Sequence, residues 1–168
     1  MRARGLVIAA VLLWAAAAGR DGIDRWIGAT DLPALTVETS AEVLDRHGTL
    51  LRAYTVADGR WRLAADPAHI DPLFTGMLIA YEDKRFRTHS GVDPLAMLRA
   101  GWQALWSGGI VSGASTLTMQ TARLLEDGPT GTLFGKLRQI RVALALERRL
   151  AKDQSLALDY DRAPYGGI

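Results

Sequence analysis

An uncharged run of fifteen residues, Gly5 to Gly19, separates Arg4 from Arg20 near the start of the chain. As a helix, this run would be roughly 22 Å long, which is shorter than the roughly 30 Å hydrocarbon core of a bilayer. The length of the run therefore fits either a short membrane anchor or the apolar core of a signal peptide. The small alanines at 16–18 would permit cleavage of such a signal peptide. A buried core helix is the remaining alternative. For an anchor or a signal, the basic residues before the run predict a cytoplasmic N terminus and an exported remainder.

The rest of the composition indicates a globular domain and excludes several kinds of site and partner. A length of 168 residues suits one domain with a core. Cysteine is absent, which excludes disulfides, thiol catalysis and thiolate metal sites. The formal net charge of +2 is too small to indicate a nucleic-acid partner. Basic residues nevertheless concentrate in 84–87 and 136–152, and such patches suit phosphates or membrane head groups.

The order of apolar runs and turn residues predicts three segments. These are a cytoplasmic stub with an anchor or signal in 1–20, a linker and β-hairpin in 21–60, and a mainly helical domain in 61–168. Two short apolar runs around His47-Gly48, within 42–56, indicate the hairpin. Helices are predicted over 73–83, 94–106, 115–126 and 134–152, with glycine-rich stretches at 107–114 and 128–131. Pro94 would stand in the first turn of the second helix, after Asp93 as its cap.

The densest group of reactive side chains lies in residues 81–93, YEDKRFRTHSGVD. Its composition alone fits either a tuned carboxylate beside cations or a solvated helix end with local ion pairs. The spacing is more specific, because Glu82-Asp83, Phe86, His89, Gly91 and Asp93 follow the pattern E-D-x-x-F-x-x-H-x-G-x-D. This pattern resembles the signature of family 51 glycosyltransferases, the polymerase modules of class A penicillin-binding proteins.

Three further blocks carry the same resemblance, which extends over residues 42–167. Residues 113–120, GASTLTMQ, resemble the family's G-x-S-T-x-x-Q-Q block, and residues 135–147 resemble its R-K-x-x-E-x-x-x-A-x-x-x-E helix. Residues 152–158 and 162–167 resemble K-D-x-I-L-x-x-Y-L-N-x-A-P-Y-G-G. The Met-Gln pair, the run GKLRQ and the run RAPYGG are most similar to the penicillin-binding protein 1C branch.

The resemblance implies a mainly α, lysozyme-like glycosyltransferase domain with a small N-terminal β-hairpin and a membrane-anchor helix. It implies a peptidoglycan glycosyltransferase that polymerises lipid II at the bacterial inner membrane, with its catalytic domain on the periplasmic or extracellular side. The expected partners are lipid II, the growing lipid-linked glycan, the membrane itself and other cell-wall synthesis proteins.

The resemblance also implies roles for individual residues. Glu82 matches the family's catalytic base, which takes the proton of the acceptor sugar's 4-hydroxyl, and a partly buried carboxylate within hydrogen-bond reach suits this task. The leaving diphosphate needs cations, for which Arg123, Lys136 and Lys152 are candidates, or a divalent metal ion, Mg²⁺ or Mn²⁺. No side chain is assigned as a metal ligand. The remaining candidate substrate-binding residues, expected to shape the site or line the sugar cleft, are Asp83, Phe86, His89, Ser115, Thr116, Gln120 and Gln139.

Two stretches depart from the family pattern. Gln139 stands where most members carry a second glutamate, and an amide can neither bind a proton nor neutralise a metal as a carboxylate does. Ser155, Asp159 and Asp161 stand where the family usually has an apolar residue, Tyr and Asn. Because the sequence also ends at Ile168, we expect a domain that is incomplete at its C terminus and leaves an apolar face uncovered.

Two other functions are compatible with these residues. One is lysozyme-like cleavage of finished glycan, and the other is a membrane-tethered remnant that binds lipid II without turnover. Leu105-Trp106 and Ile110-Val111 also have two interpretations. They either dip into the bilayer surface, from which a lipid-linked substrate must be taken, or pack in the core.

Overall fold

The computed structural model describes residues 2–107, 113–126 and 132–163. The chain forms two compact units, Met1–Asp31 and Leu32–Ile168. Four of the features predicted from the sequence lie wholly or mostly outside the described residues. They are the Ile110-Val111 pair, the glycine-rich stretches 107–114 and 128–131, and the Pro-Tyr-Gly-Gly end of the last motif at 164–167.

The first unit is dominated by one helix, α1 (Arg2–Gly28), whose large apolar side chains are exposed from Leu6 to Trp26, whereas Ile27 near its end is buried. This helix extends eight residues into the segment predicted as a linker, so the predicted length of 22 Å is too short. Two contacts within α1 support the extension. Arg20 pairs with Asp24 at 3.8 Å, and Arg25 Nε donates to the backbone oxygen of Asp21. At roughly 1.5 Å per residue, α1 is long and apolar enough to cross a bilayer, which fits a membrane anchor.

The predicted β-hairpin is confirmed at the start of the second unit. Strands β1 (Glu42–Leu44) and β2 (Leu50–Ala53) pair antiparallel, with an irregularity between Val43 and Leu44. The turn is closed by Asp45, whose Oδ1 accepts from two backbone N–H groups at 2.7 and 2.9 Å. Gly48 supplies the positive φ of +82° that this tight turn requires.

Five α-helices follow among the described residues, which confirms the mainly α fold. They are α2 (Pro72–Glu82), α3 (Pro94–Ser107), α4 (Leu117–Leu125), α5 (Leu133–Arg149) and α6 (Lys152–Arg162), and a 3₁₀ turn (Pro67–His69) precedes them. Four of the helices begin after an Asp or Thr side chain that accepts from the first-turn backbone: Asp71, Asp93, Thr116 and Thr132.

The helix predicted over 134–152 is confirmed, but it ends three residues earlier than predicted. Helix α5 ends at Arg149, because Leu150 and Ala151 adopt extended backbone angles. Gln154 then closes the start of α6, since its Oε1 accepts from the backbone N–H of Ala151 at 2.8 Å. Periodic leucines on both sides of the break conceal it in the sequence, where no glycine or proline marks the boundary.

The core is built around α4, which packs against both α5 and α6. One buried cluster joins the three helices through Met119, Ala122, Leu125, Val142, Ala143, Leu146 and Leu158, and a second contains Phe86, Leu117, Leu156 and Tyr160. Leu32 and Leu35, in the segment predicted as a linker, pack against the first cluster. By contrast, neither α2 nor α3 contains a fully buried residue among those described.

The three polar residues of the last motif all have defined positions in α6. Ser155 and Asp159 are buried, and Asp159 Oδ1 accepts from the hydroxyl of Thr121 on α4 at 2.9 Å. Asp161 Oδ1 accepts from the backbone N–H of Ala65 at 3.1 Å. Asp159 therefore bonds α6 to α4, and Asp161 bonds α6 to the segment before α2, at positions where the family pattern predicted other side chains.

Candidate functional site

The C-terminal end of α2 is fixed by the buried carboxylate of Asp83. Its two oxygens lie 3.0 and 2.9 Å from Nε2 of buried His89, and Oδ2 also accepts from the backbone N–H of Leu117 at 3.0 Å. An ionised carboxylate only accepts hydrogen bonds, so the histidine carries a proton on Nε2. Asp83 thereby joins the end of α2, the loop before α3 and the first residue of α4.

Glu82, the last residue of α2, is exposed beside this buried network. Its Oε2 accepts from Nε2 of Gln120 on α4 at 3.0 Å. The partial burial expected of a general base is therefore wrong for this structure. The amide contact instead orients the carboxylate while leaving its remaining acceptor positions open to a ligand.

The loop between α2 and α3 is stabilised by a bidentate ion pair. Arg85 Nε donates to Asp93 Oδ2 at 2.8 Å, and its Nη2 bonds the other oxygen. The hydrogen bonds from Arg85 lower the pKa of Asp93 to about 2. Because Asp93 also accepts from the backbone N–H of Ala96 at 2.9 Å, the pair fixes the start of α3 relative to the Glu82-Asp83 turn.

Two clefts meet beside Glu82. The larger one, of about 330 Å³, is lined by the end of α2, the start of α3 and residues 113–116. The smaller one, of about 130 Å³, lies between α4 and α5. Ser115 lines both clefts, and Glu82 of the larger cleft contacts Gln120 of the smaller. A ligand that extends through both clefts would therefore pass the Glu82 carboxylate.

The smaller cleft is cationic. Arg123 and Lys136 line it together with Ser115, Met119, Gln120 and Gln139, and no acidic side chain of the described residues does so. Burial, followed by the nearby charge of Arg123, lowers the pKa of Lys136, whose Nζ donates to the hydroxyl of Ser115. Gln139 is buried, so the position expected to hold a glutamate places a neutral amide beside the two cations.

Lys152 lies away from both clefts. Its Nζ donates to Glu147 Oε1 at 2.8 Å and lies 4.4 Å from the ring centroid of buried Phe86. The same Glu147 oxygen accepts from the hydroxyl of Thr118 at 2.7 Å. Lys152 therefore forms an ion pair with a buried carboxylate, and the structure does not bring it together with Arg123 and Lys136.

A model of the transglycosylase family matches residues 47–167. The chain belongs to the transglycosylase family. It is 43% identical to penicillin-binding protein 1C of Escherichia coli K12 over 96% of this chain and 20% of that protein. It is 34% identical to penicillin-binding protein 1A of the same organism over 76% of this chain and 15% of that protein. The match to penicillin-binding protein 1F of Bacillus subtilis is 29% over 81% of this chain and 19% of that protein.

These matches confirm the resemblance to class A penicillin-binding proteins. The chain spans about a fifth of the length of penicillin-binding protein 1C and a similar or smaller share of the other two relatives. The predicted site residues divide into three groups by position. Glu82, Asp83, Ser115 and Thr116 line the larger cleft, and Gln120, Arg123, Lys136 and Gln139 line the smaller, while Phe86, His89 and Lys152 lie outside both.

Sequence reasoning named Thr116 but missed the contacts by which it supports the site. Thr116 caps α4 by accepting from the N–H of Met119, and it also donates to the backbone oxygen of Gly91 at 2.5 Å. Glu147 was missed as a supporting residue, and its side chain is only 6% exposed and pairs with Lys152. The signal for Glu147 is a lone acid among apolar residues on the core face of a helix, which predicts a buried partner of opposite charge.

The expected divalent cation stays a prediction. In the part of the chain that the structure describes, no group of three His, Asp or Glu side chains could hold a metal ion. Asp83 and Asp93 are already engaged by His89 and Arg85. The described residues therefore do not form a resident metal site, and no chemical step is assigned to a metal.

Proposed function

We propose that this chain is a peptidoglycan glycosyltransferase domain, which joins lipid II units into glycan strands. The observation that carries the proposal is the position of Glu82 between the two clefts, one of which presents Arg123 and Lys136. An exposed carboxylate beside a cationic cleft suits a reaction in which a hydroxyl attacks a sugar and a diphosphate leaves.

In the proposed mechanism, Glu82 is the general base. It accepts the proton of the acceptor's 4-hydroxyl while that oxygen bonds to the anomeric carbon of the donor. The bond between this carbon and the diphosphate oxygen breaks, and the configuration at the carbon inverts. Arg123 and Lys136 neutralise the charge that develops on the departing diphosphate. Gln120 keeps the Glu82 carboxylate turned toward the reacting hydroxyl.

We also propose that the domain works at the outer surface of the bacterial inner membrane. Helix α1 would be the single anchor, and the basic residues before its apolar run favour a cytoplasmic N terminus. Leu105 and Trp106 on α3 are 84% and 83% exposed, which supports the bilayer-dipping interpretation over core packing. Lipid II, the growing lipid-linked glycan, the membrane and other cell-wall synthesis proteins are the proposed partners.

A binding remnant without turnover is the second candidate, and Gln139 is the observation that favours it. The amide occupies the smaller cleft, so a mechanism that requires a second carboxylate there could not operate. Lysozyme-like cleavage is less well supported, because hydrolysis of finished glycan makes no use of a cation pair for a diphosphate.

The proposed divalent cation would come with the substrate. A diphosphate that arrives with its own Mg²⁺ or Mn²⁺ would be compatible with the exposed Glu82.

The test is polymerisation of lipid II by the detergent-solubilised chain, with Glu82→Gln as the variant and Glu42→Gln as its control. Glu42 is an exposed hairpin residue, so its substitution removes an equal charge without touching the site. We expect glycan strands from wild type and control, and a rate lower by a factor of about 10² to 10⁴ from Glu82→Gln. Equal rates from both variants would exclude Glu82 as the base.

A second arm separates the enzyme from the remnant. Lipid II that binds to the wild type but gives no strands would support the remnant, and a Gln139→Glu variant that then forms strands would identify the amide as the cause. Release of free disaccharide from finished glycan would favour the hydrolase.

A further inference from the structure

We infer that Arg162 is a latch that holds residues 32–36, here called the strap, against the helical domain and so limits how far the domain moves from its membrane anchor. The inference rests on the proposed anchor and goes beyond the proposed reaction. It gives a positioning role to the arginine of the last motif, which lines neither cleft.

Two kinds of contact tie the strap to the domain. Leu32 and Leu35 pack against the buried cluster that joins α4, α5 and α6. At the end of α6, Nη2 of Arg162 donates to the backbone oxygens of Ala34 at 2.7 Å and Thr36 at 3.3 Å. The two leucines therefore bury apolar surface, while a single guanidinium group binds the backbone beside them.

The strap depends on this side chain because it has no secondary structure of its own. Residues 31–41 contain no helix or strand, so no ladder of backbone hydrogen bonds satisfies the carbonyl groups of the strap. A charged donor bonds a carbonyl more strongly than a neutral donor does. Arg162 is half-buried, and burial, followed by the nearby charge of Arg62, lowers its pKa. Its guanidinium is therefore held against the strap and is not extended into solvent.

The chain on each side of the strap is short. Helix α1 ends at Gly28, and only residues 29–31 separate it from the strap. Beyond the strap, the N–H of Ser40 donates to the backbone oxygen of Arg62, and its Oγ accepts from the N–H of Arg62, each at 2.8 Å. Residues 29–31 therefore connect the anchor to the latched domain, whereas residues 29–39 would connect them if the latch opened.

The lengths of these two links decide whether the latch matters. An extended chain spans about 3.5 Å per residue, so the shorter link reaches about 10 Å and the longer one about 38 Å. The interfacial layer on each side of a bilayer is roughly 5–8 Å thick. A latched domain is therefore confined close to the depth of a lipid-linked diphosphate, whereas an unlatched domain could move several layer thicknesses away.

The first test measures the mobility of the strap in the chain reconstituted into phosphatidylglycerol liposomes. The chain contains no cysteine, so Ala34→Cys, at an exposed position, carries a single spin label. Arg162→Gln should add a mobile component to the electron paramagnetic resonance spectrum, which the exposed hairpin control Arg46→Gln should lack. Arg162→Lys keeps the charge and a donor, so it should restore part of the immobilised signal. Equal mobility in Arg162→Gln and the control would overturn the inference.

The second test compares polymerisation of lipid II in liposomes and in detergent micelles. Effective concentration falls roughly as the −3/2 power of tether length, so opening the latch should raise the apparent KM for liposomal lipid II about sevenfold, with little change in kcat. In micelles, where no bilayer confines the substrate, Arg162→Gln should match the wild type. A loss of kcat in both media would overturn the positioning role, because it would indicate damage to the site itself.

An insertion tests the same reach without changing Arg162. A flexible Gly-Ser segment of about ten residues between Asp31 and Leu32 lengthens the link while the latch stays closed. The KM for liposomal lipid II should rise again, although the spin label on the strap should stay immobilised. An unchanged KM would overturn the inference. Far-ultraviolet circular dichroism checks that the helices remain in each variant.

A wild type that forms no glycan in either medium would count against the proposed function and would still leave the latch open to test. Energy transfer from a dye on Ala57→Cys, at an exposed turn, to rhodamine-labelled lipid reports the distance of the domain from the bilayer. Arg162→Gln should lower this transfer. Unchanged transfer would mean that other contacts, such as those proposed for α3, hold the domain at the bilayer, and it would overturn the inference.

Discussion

Gly91→Ala should destabilise the domain more than any other glycine-to-alanine change at a described turn. Gly91 has a φ of +87°, in the left-handed region that L side chains rarely adopt. A Cβ there would lie 2.6 Å from the backbone oxygen of Ala143 and 2.8 Å from Cγ of Glu147. The atoms it would meet include the backbone of α5, so a rotamer change cannot relieve the clash.

The expected loss of unfolding free energy in Gly91→Ala is the sum of two contributions. Left-handed backbone costs an L residue about 1–2 kcal/mol, and overpacking of a close contact typically costs about 1–3 kcal/mol. We therefore expect Gly91→Ala to lower the free energy of unfolding by about 2–5 kcal/mol, a large share of the roughly 5–15 kcal/mol typical of a domain. Gly48→Ala isolates the first part, because Gly48 has a φ of +82° but no atom within 4 Å of the added Cβ.

The assay is urea denaturation of the detergent-solubilised chain, followed by circular dichroism at 222 nm on the far-ultraviolet helix signal. Gly48→Ala should lower the free energy of unfolding by about 1–2 kcal/mol. The difference in unfolding free energy between the two variants should then measure the cost of the close contact between residue 91 and α5. Equal losses would refute the reasoning, because the close approach of Gly91 to Ala143 would then contribute nothing.

Three further predictions concern charged and buried groups. The hydrogen bonds from Arg85 lower the pKa of Asp93, so the stability they supply is present above the unfolded pKa of about 3.9 and is lost as the pH falls through about 2. The difference in unfolding free energy between wild type and Asp93→Asn should accordingly shrink over that range in acid titrations of stability. Burial lowers the pKa of Lys136, so diphosphate binding in the smaller cleft should weaken at a lower pH than an ordinary lysine allows, and titration of Lys136→Arg should show binding extended to higher pH. Asp159→Ala should lower the free energy of unfolding in denaturant by only about 0.5–1.5 kcal/mol, because the Thr121 hydroxyl loses its bond to Asp159 but keeps the backbone oxygen of Leu117 as an acceptor, and Asp159→Asn should lower it less.

Local signals in the sequence were sufficient for most of the helical framework. Proline or a capping Asp or Thr stands at the start of α2, α3 and α4, and these signals act within one turn of the chain. The hairpin was predictable for the same reason, since its turn depends on Asp45 and Gly48. The fixed spacing from Glu82 to Asp93 identified the region of the site before any geometry was known.

Contacts between distant residues were not predictable in this way. The extended backbone at Leu150 and Ala151 separates α5 from α6 without a glycine or proline. Lys152, expected at a phosphate, pairs with Glu147, and only the fold reveals that these side chains meet beside Thr118. The exposure of Glu82 is also a tertiary property, because it depends on how α4 packs against the end of α2.

The first turn of α4 links the supporting network to the two clefts. Leu117 gives its N–H to Asp83, and Thr116 bonds the backbone oxygen of Gly91. One turn later, Nε2 of Gln120 donates a hydrogen bond to Oε2 of Glu82. The buried partners of α4 therefore set the position of the exposed carboxylate, and the same helix carries Arg123 into the smaller cleft. A shift of α4 would therefore move the proposed base and a proposed phosphate-binding cation together, while Glu82 itself is exposed to a ligand.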